Sequence, residues 1–249
     1  MQNFATKRCY KPVDFGKVAK AEIHHFSDAS FKGYGQCSYL RLVNEDGQIH
    51  CSFVIGKARV TPLKSVTVPR LELTAAVLSV RISEQLKREL DIEITDEVFW
   101  TDSRVVLGYI ANSVRRFHVF VANRVKEIQD KSSVRQWKYV DTKSNPADEA
   151  SRGIRPNELT KSKWILGPDF LWKPEAEWDA TLRQPVGDVD LVEDDQERGQ
   201  ERGQESLLAR NCCHAILANI SRSISILLRL ESRQEGYRVV SPIWAHAKK

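Results

Sequence analysis

The sequence predicts an α/β fold: a mixed five-stranded sheet with helices packed on it, followed by a poorly defined C-terminal extension. Three observations lead there. Three successive segments rich in aromatic and β-branched residues come first, and the turn signal Asn44-Glu45-Asp46-Gly47 joins the second to the third as a hairpin. A long stretch with apolar residues at helical spacing follows. Short apolar strands and helical segments then alternate, giving the order β-β-β-α-β-α-α-β.

Residues 1–20 read as an irregular lead-in, interrupted by Pro12 and Gly16. The body, 21–155, opens with a strand over Ala21–Asp28, and Gly33 and Gly35 are expected to let the chain turn sharply into a second strand, Tyr34–Val43. The third strand covers Ile49–Val60. The first helix has Thr67 as candidate N-cap, Pro69 in its first turn, and Leu71, Ala75, Leu78, Ile82 and Leu86 at helical spacing. A short strand at Val98–Thr101 precedes helices over Ser103–Asn112 and Phe117–Lys131, the latter with Phe117, Val121, Val125 and Ile128 on one face. Gln136–Val140 reads as the last strand, and the run DTKSNPADEASRG as loop by composition.

Three further segments are expected. Residues 156–182 contain WILGPDFLW and form an aromatic extension packing back on the body. Residues 183–205 are an acidic low-complexity linker with a repeated QERG. Residues 206–249 form an amphipathic helix and tail, and the apolar face of 206–231 suits docking or self-association.

Composition narrows the function classes. No run reaches the length of a membrane span, and the N-terminus lacks the apolar core of a secretion signal, so an intracellular protein, cytoplasmic or nuclear, is expected. Five cysteines without a CxxC pair read as reduced thiols rather than a zinc site or disulfide frame. The net charge of +5 conceals an asymmetry: 187–205 carries eight acids against two arginines, a balance of −6, which leaves +11 on the rest. A basic body suits a polyanionic partner, although solvated charged faces would give the same count.

Four acids stand in four unlike settings: Asp28 in FSDAS, Glu72 in PRLEL, Asp102 in FWTDS and Asp148 in NPADEASRG. Strand alternation puts Phe26 with Asp28 on one face and Trp100 with Asp102 on one face; if those strands are neighbours, both acids emerge at the same end of the sheet. Glu72 is expected in the first turn of its helix, where the dipole favours a carboxylate, and Asp148 would close the site from a loop. Such a cluster repels itself unless divalent cations fill it, a pattern suited to hard oxygen ligation and two-metal phosphodiester chemistry. Read singly, each acid has a structural use: Asp28 in a turn, Glu72 as a helix-start charge, Asp102 and Asp148 as helix N-caps.

The ordered segments HHFSDASFKGYG, VPRLELTAAVLSVRI, FWTDSRVVLGYI, RRFHVFVANRV, QWKYVDTKSNPADEASRG and WILGPDFLW closely resemble the ribonuclease H region of Pao/BEL-type LTR retrotransposon polyproteins, over roughly residues 8–173. The resemblance implies a ribonuclease H-like fold and an endonuclease that hydrolyses the RNA strand of an RNA–DNA hybrid. It implies that Asp28, Glu72, Asp102 and Asp148 are the metal-binding catalytic acids, holding two Mg²⁺ ions for which Mn²⁺ would substitute. It also implies a reverse transcriptase domain upstream in a parent polyprotein, from which this chain would be a fragment or a derived gene. Candidates for contacts to nucleic acid, near the acids or on the basic helix, are Ser30, Arg70, Ser103, Arg115, Arg116, Asn123, Arg124 and Lys126. A non-catalytic nucleic-acid-binding module and a protein-interaction module are the alternatives.

Overall fold

The computed structural model describes residues 10–62, 66–112, 117–154, 158–159 and 162–183. Five strands form one sheet: β1 (Val18–Ala29), β2 (Gly33–Asn44), β3 (Ile49–Val60), β4 (Asp96–Thr101) and β5 (Trp137–Tyr139). Their order across the sheet is β3-β2-β1-β4-β5. The first three are antiparallel neighbours, while β4 runs parallel to β1 and β5 parallel to β4. This is the mixed sheet of the ribonuclease H-like fold, and it puts β1 and β4 side by side at the centre.

Turn chemistry sets the hairpin of β2 and β3. Gly47 adopts φ 78° and its N–H donates to the Asn44 carbonyl at 3.0 Å, which brings Ile49 opposite Val43. Gly33 and Gly35 act differently from expectation: neither has positive φ, and the chain turns at residues 30–32 before them. Both lie within β2, where a Cβ on Gly33 would stand 2.8 Å from the Arg59 carbonyl oxygen. Their role is close approach, not backbone freedom.

Helix α1 (Val68–Glu89) starts after Thr67 as expected, though the Thr67 side chain makes no capping bond. It packs with α2 (Arg104–Ala111) and α3 (Val119–Lys131) on one face of the sheet. There Leu73, Val77 and Val80 meet Phe99, Leu107, Val125, Ile128 and Trp137; nearer the hairpin, Leu78, Ile82 and Leu86 meet Ile23, Leu40 and Leu42. Opposite residues of each strand face a second layer, made of α4 (Asp148–Arg152), α5 (Lys163–Leu166), α6 (Ala180–Arg183) and the 3-10 turns among them. Phe26, Cys37, Tyr39 and Trp100 are buried there with Trp164, Phe170, Leu171, Trp178 and Leu182. Phe26 and Trp100 stack at 5.9 Å, as expected of residues directly paired in β1 and β4.

The second layer is tied down by polar contacts as well. Arg41 is 2 % exposed, yet its Nε donates to the Leu171 carbonyl at 2.9 Å, its Nη2 to the Lys173 carbonyl at 2.8 Å and its Nη1 to Glu22 Oε2 at 2.5 Å. The segment read as a loop, DTKSNPADEASRG, instead contains a 3-10 turn and α4. Asn145 causes this by bonding both ways: its Oδ1 accepts from the Ala147 N–H and its Nδ2 donates to the Ser27 carbonyl, each at 3.1 Å. Residues 183–249, with the acidic linker and amphipathic helix, lie outside the described residues except for Arg183.

Candidate active site

Asp28 is the penultimate residue of β1, and Asp102 immediately follows β4. Ser27 and Thr101 are paired in the parallel ladder, so the next residue after each lies at the same end of the sheet. Glu72 reaches that end from α1 and Asp148 from α4, which lie on opposite faces. The close contact that admits α4 is at Gly35, paired with Asp28: a Cβ there would meet Ala150 Cβ at 2.8 Å and the Lys57 carbonyl at 2.7 Å. Glycine at this position lets the helix carrying Asp148 sit against the strand pair.

None of the four acids serves the structural use open to it. Asp28 is in a strand, not a turn. The N-cap of α2 is Ser103, and that of α4 is Ala147. Glu72 corrects the expectation about the dipole, because α1 begins at Val68 and has no acid in its first turn. One turn further in, the dipole's attraction has largely decayed.

Electrostatics and hydrogen bonds join the acids. Burial, followed by the charges of Asp102 and Asp148, pushes the Asp28 carboxyl up to about 7, against a lowering bond from Ser151. Ser151 Oγ donates to Asp28 Oδ2 at 2.5 Å. Glu72 is raised by burial, lowered by its bond with Ser103 and raised by Asp102. The Ser103 hydroxyl also accepts from the Val106 N–H at 3.2 Å, so one side chain caps α2 and holds Glu72. Asp148 is raised by burial, lowered by Arg152 and raised by Asp102; Arg152 Nε stands 2.7 Å from its Oδ1. Asp102 is the neighbour common to the other three.

The donors are carboxylate oxygens alone, a set suited to a hard divalent cation. Their mutual repulsion is what such an ion would relieve. Among the described residues, however, no group of three or more potential ligands is drawn together closely enough to hold a metal as it stands. The residues fit Mg²⁺ in chemistry, and coordination would require the carboxylates to close inward.

The other site candidates fall into two sets. Ser103 joins the acids, and Ser30 lies nearby, its Oγ donating to the Ser151 carbonyl at 2.7 Å. Arg70 and Arg124 flank Phe120, with guanidinium carbons 5.4 and 3.4 Å from the ring centroid. Asn123 and Lys126 are on the exposed side of α3, where Lys126 pairs with Asp130 at 3.0 Å. Arg115 and Arg116 lie outside the described residues. Ser151, Asn145 and Arg152 were not singled out from the sequence, and Gly35 was read only as a turning point. The spacing of Ser151 and Arg152 from Asp148, three and four residues, becomes meaningful only once 148–152 is a helix.

Residues 1–103 match the family model for the Pao retrotransposon-like RNaseH-like domain. Comparison with curated proteins found no match. Solved structures similar to this chain include the N-terminal RNase H domain of rv2228c from Mycobacterium tuberculosis, solved as a maltose-binding-protein fusion (11% identity, TM-score 0.37, covering 57% of this chain and 99% of that one). RNase H1 from the halophilic archaeon Halobacterium salinarum is 14% identical, with TM-score 0.35, and the coverage is 57% and 98%. LC11-RNase H1, isolated from compost by a metagenomic approach and solved with an RNA/DNA hybrid, is 12% identical, with TM-score 0.33 and coverage of 56% and 99%. Among the described residues no helix is long and apolar enough to cross a membrane.

Proposed function

We propose that this chain is a divalent-metal-dependent endonuclease that hydrolyses the RNA strand of RNA–DNA hybrids, as a retroelement polyprotein fragment or a gene derived from one. The carrying observation is that four acids from four elements meet at one end of the sheet, with none in the structural role open to it. Asp28, Glu72, Asp102 and Asp148 would hold two Mg²⁺ ions, with Mn²⁺ able to replace them. Bound there, the ions would activate water and stabilise the leaving oxygen. The protein's own share is positioning: Ser151 orients Asp28, Ser103 orients Glu72, and Arg152 restrains Asp148 until an ion competes for it. Arg70, Arg124 and the other basic candidates would neutralise phosphates, making affinity salt-dependent. A reverse transcriptase domain would be the upstream partner in the parent polyprotein.

Purified protein given a labelled RNA–DNA hybrid with Mg²⁺, Mn²⁺ or EDTA tests this. Cutting of the RNA strand alone, metal-dependent and lost in Asp102→Asn, is expected; undiminished cutting by that variant would overturn the assignment. A second reading, a non-catalytic nucleic-acid-binding module, is favoured by one observation: among the described residues the acids are not drawn into a closed metal cage. Hybrid binding without cutting in either metal would select it.

A further inference from the structure

The turn after Asp28 presents an exposed aromatic ring beside the acids. Phe31 is 78% exposed, in a turn that several hydrogen bonds hold. The Ser30 N–H donates to the Gly33 carbonyl at 2.8 Å, and the Ser30 hydroxyl to the Ser151 carbonyl at 2.7 Å. That hydroxyl also accepts from the Lys32 N–H at 3.1 Å. From just past β3, Thr61 N–H donates to the Lys32 carbonyl at 3.2 Å, and Thr61 Oγ1 to the Ser30 carbonyl at 3.3 Å. Backbone and side-chain bonds therefore fix residues 30–32 on both sides of the ring, and Ser151 joins this turn to Asp28 itself.

A rigid turn with its apolar side chain in water suits contact with a ligand surface more than core packing. The surroundings indicate which surface. Exposed Lys32 is adjacent in sequence, and exposed Arg59 is on β3 where its carbonyl approaches Gly33. An apolar ring beside cations matches a nucleic acid, which offers flat base and sugar faces between phosphates. An A-form-like hybrid displays sugars and base edges in a wide, shallow minor groove that a short turn can enter.

We propose that Phe31 is a substrate-positioning residue, packing on sugars and base edges in the minor groove of the hybrid next to the phosphate being cut, with Lys32 and Arg59 on flanking phosphates. This rests on the hybrid-nuclease reading and adds to it how the duplex is held in register with the acids. Loss of the ring's apolar contact corresponds to roughly a tenfold weakening of binding.

The test measures anisotropy of a labelled RNA–DNA hybrid in EDTA at fixed low salt, alongside Mg²⁺-dependent cleavage, for wild type, Phe31→Ala and Phe31→Tyr. Binding about tenfold weaker for Phe31→Ala is expected, with KM raised, kcat within about twofold, an unchanged melting temperature, and recovery in Phe31→Tyr. Wild-type binding and cleavage matched by Phe31→Ala would overturn the assignment of Phe31 while leaving the nuclease reading intact. A wild type that neither binds nor cuts hybrid would overturn both. Weak binding by both variants would assign the effect to the phenylalanine's shape rather than an aromatic face, which also overturns it.

Discussion

Replacing Asp28 with asparagine removes a carboxylate whose ionisation the fold opposes. The folded group is pushed up to about 7 by burial and by the charges of Asp102 and Asp148, against an ordinary value of 3.8. An acid with a raised folded value contributes stability that is full below its unfolded value and is lost as pH rises toward the folded one. Wild type should therefore lose stability between about pH 4 and 7 on this account, and carry the whole penalty above that. Three units at about 1.4 kcal/mol each make the penalty about 4 kcal/mol at pH 8 and under half of that at pH 5. Asparagine keeps an oxygen for the Ser151 hydroxyl, so the geometry survives the change. Urea unfolding in EDTA should find Asp28→Asn more stable than wild type at pH 8, by about 3 kcal/mol more than at pH 5. Millimolar Mg²⁺ should stabilise wild type and act less on the variant, because an ion binding only the folded state adds its binding energy to stability. A variant no more stable than wild type at pH 8, or an advantage equal at both pH values, would refute the reasoning.

Two further changes probe how the site and its supporting layer are built. Gly35→Ala would force Ala150 away from β2 and displace α4, at about 1–3 kcal/mol, and hybrid cleavage should fall further than the unfolded fraction explains; matched wild-type kinetics would count against that placement of Asp148. Arg41→Met would strip buried Glu22 of one of its partners, leaving Lys20 on its other oxygen, and free two carbonyls of the second layer, so chemical denaturation should register a loss of about 3 kcal/mol; a change under about 1 kcal/mol would mean that apolar packing alone holds the layer.

Much of the frame is legible in the sequence because it rests on local patterns. Alternation along β1 and β4 pairs Phe26 with Trp100 and sends Asp28 and Asp102 out together, and the period of Leu71 through Leu86 marks the buried stripe of α1. What escaped depends on contacts distant in the chain. The role of Gly35 is set by Ala150, and that of Ser151 by Asp28, 123 residues away. Helix α4 is five residues long and arises from an asparagine turn anchored on β1, so composition alone reads it as loop. Glu72 lies past the first turn because the helix starts at Val68, directly after the expected cap Thr67, which makes Glu72 its fifth residue.

The acids come from both sides of the sheet: Glu72 from the layer of α1, Asp148 from the layer of α4. Neither layer alone can assemble the set. During synthesis the sheet's first four strands and α1 precede α4 by dozens of residues, so under the proposed function the surface meant for nucleic acid would be made before the last carboxylate joins it. Cleavage competence would then arrive as the final event of maturation, and a chain stalled before α4 docks could hold a hybrid without damaging it.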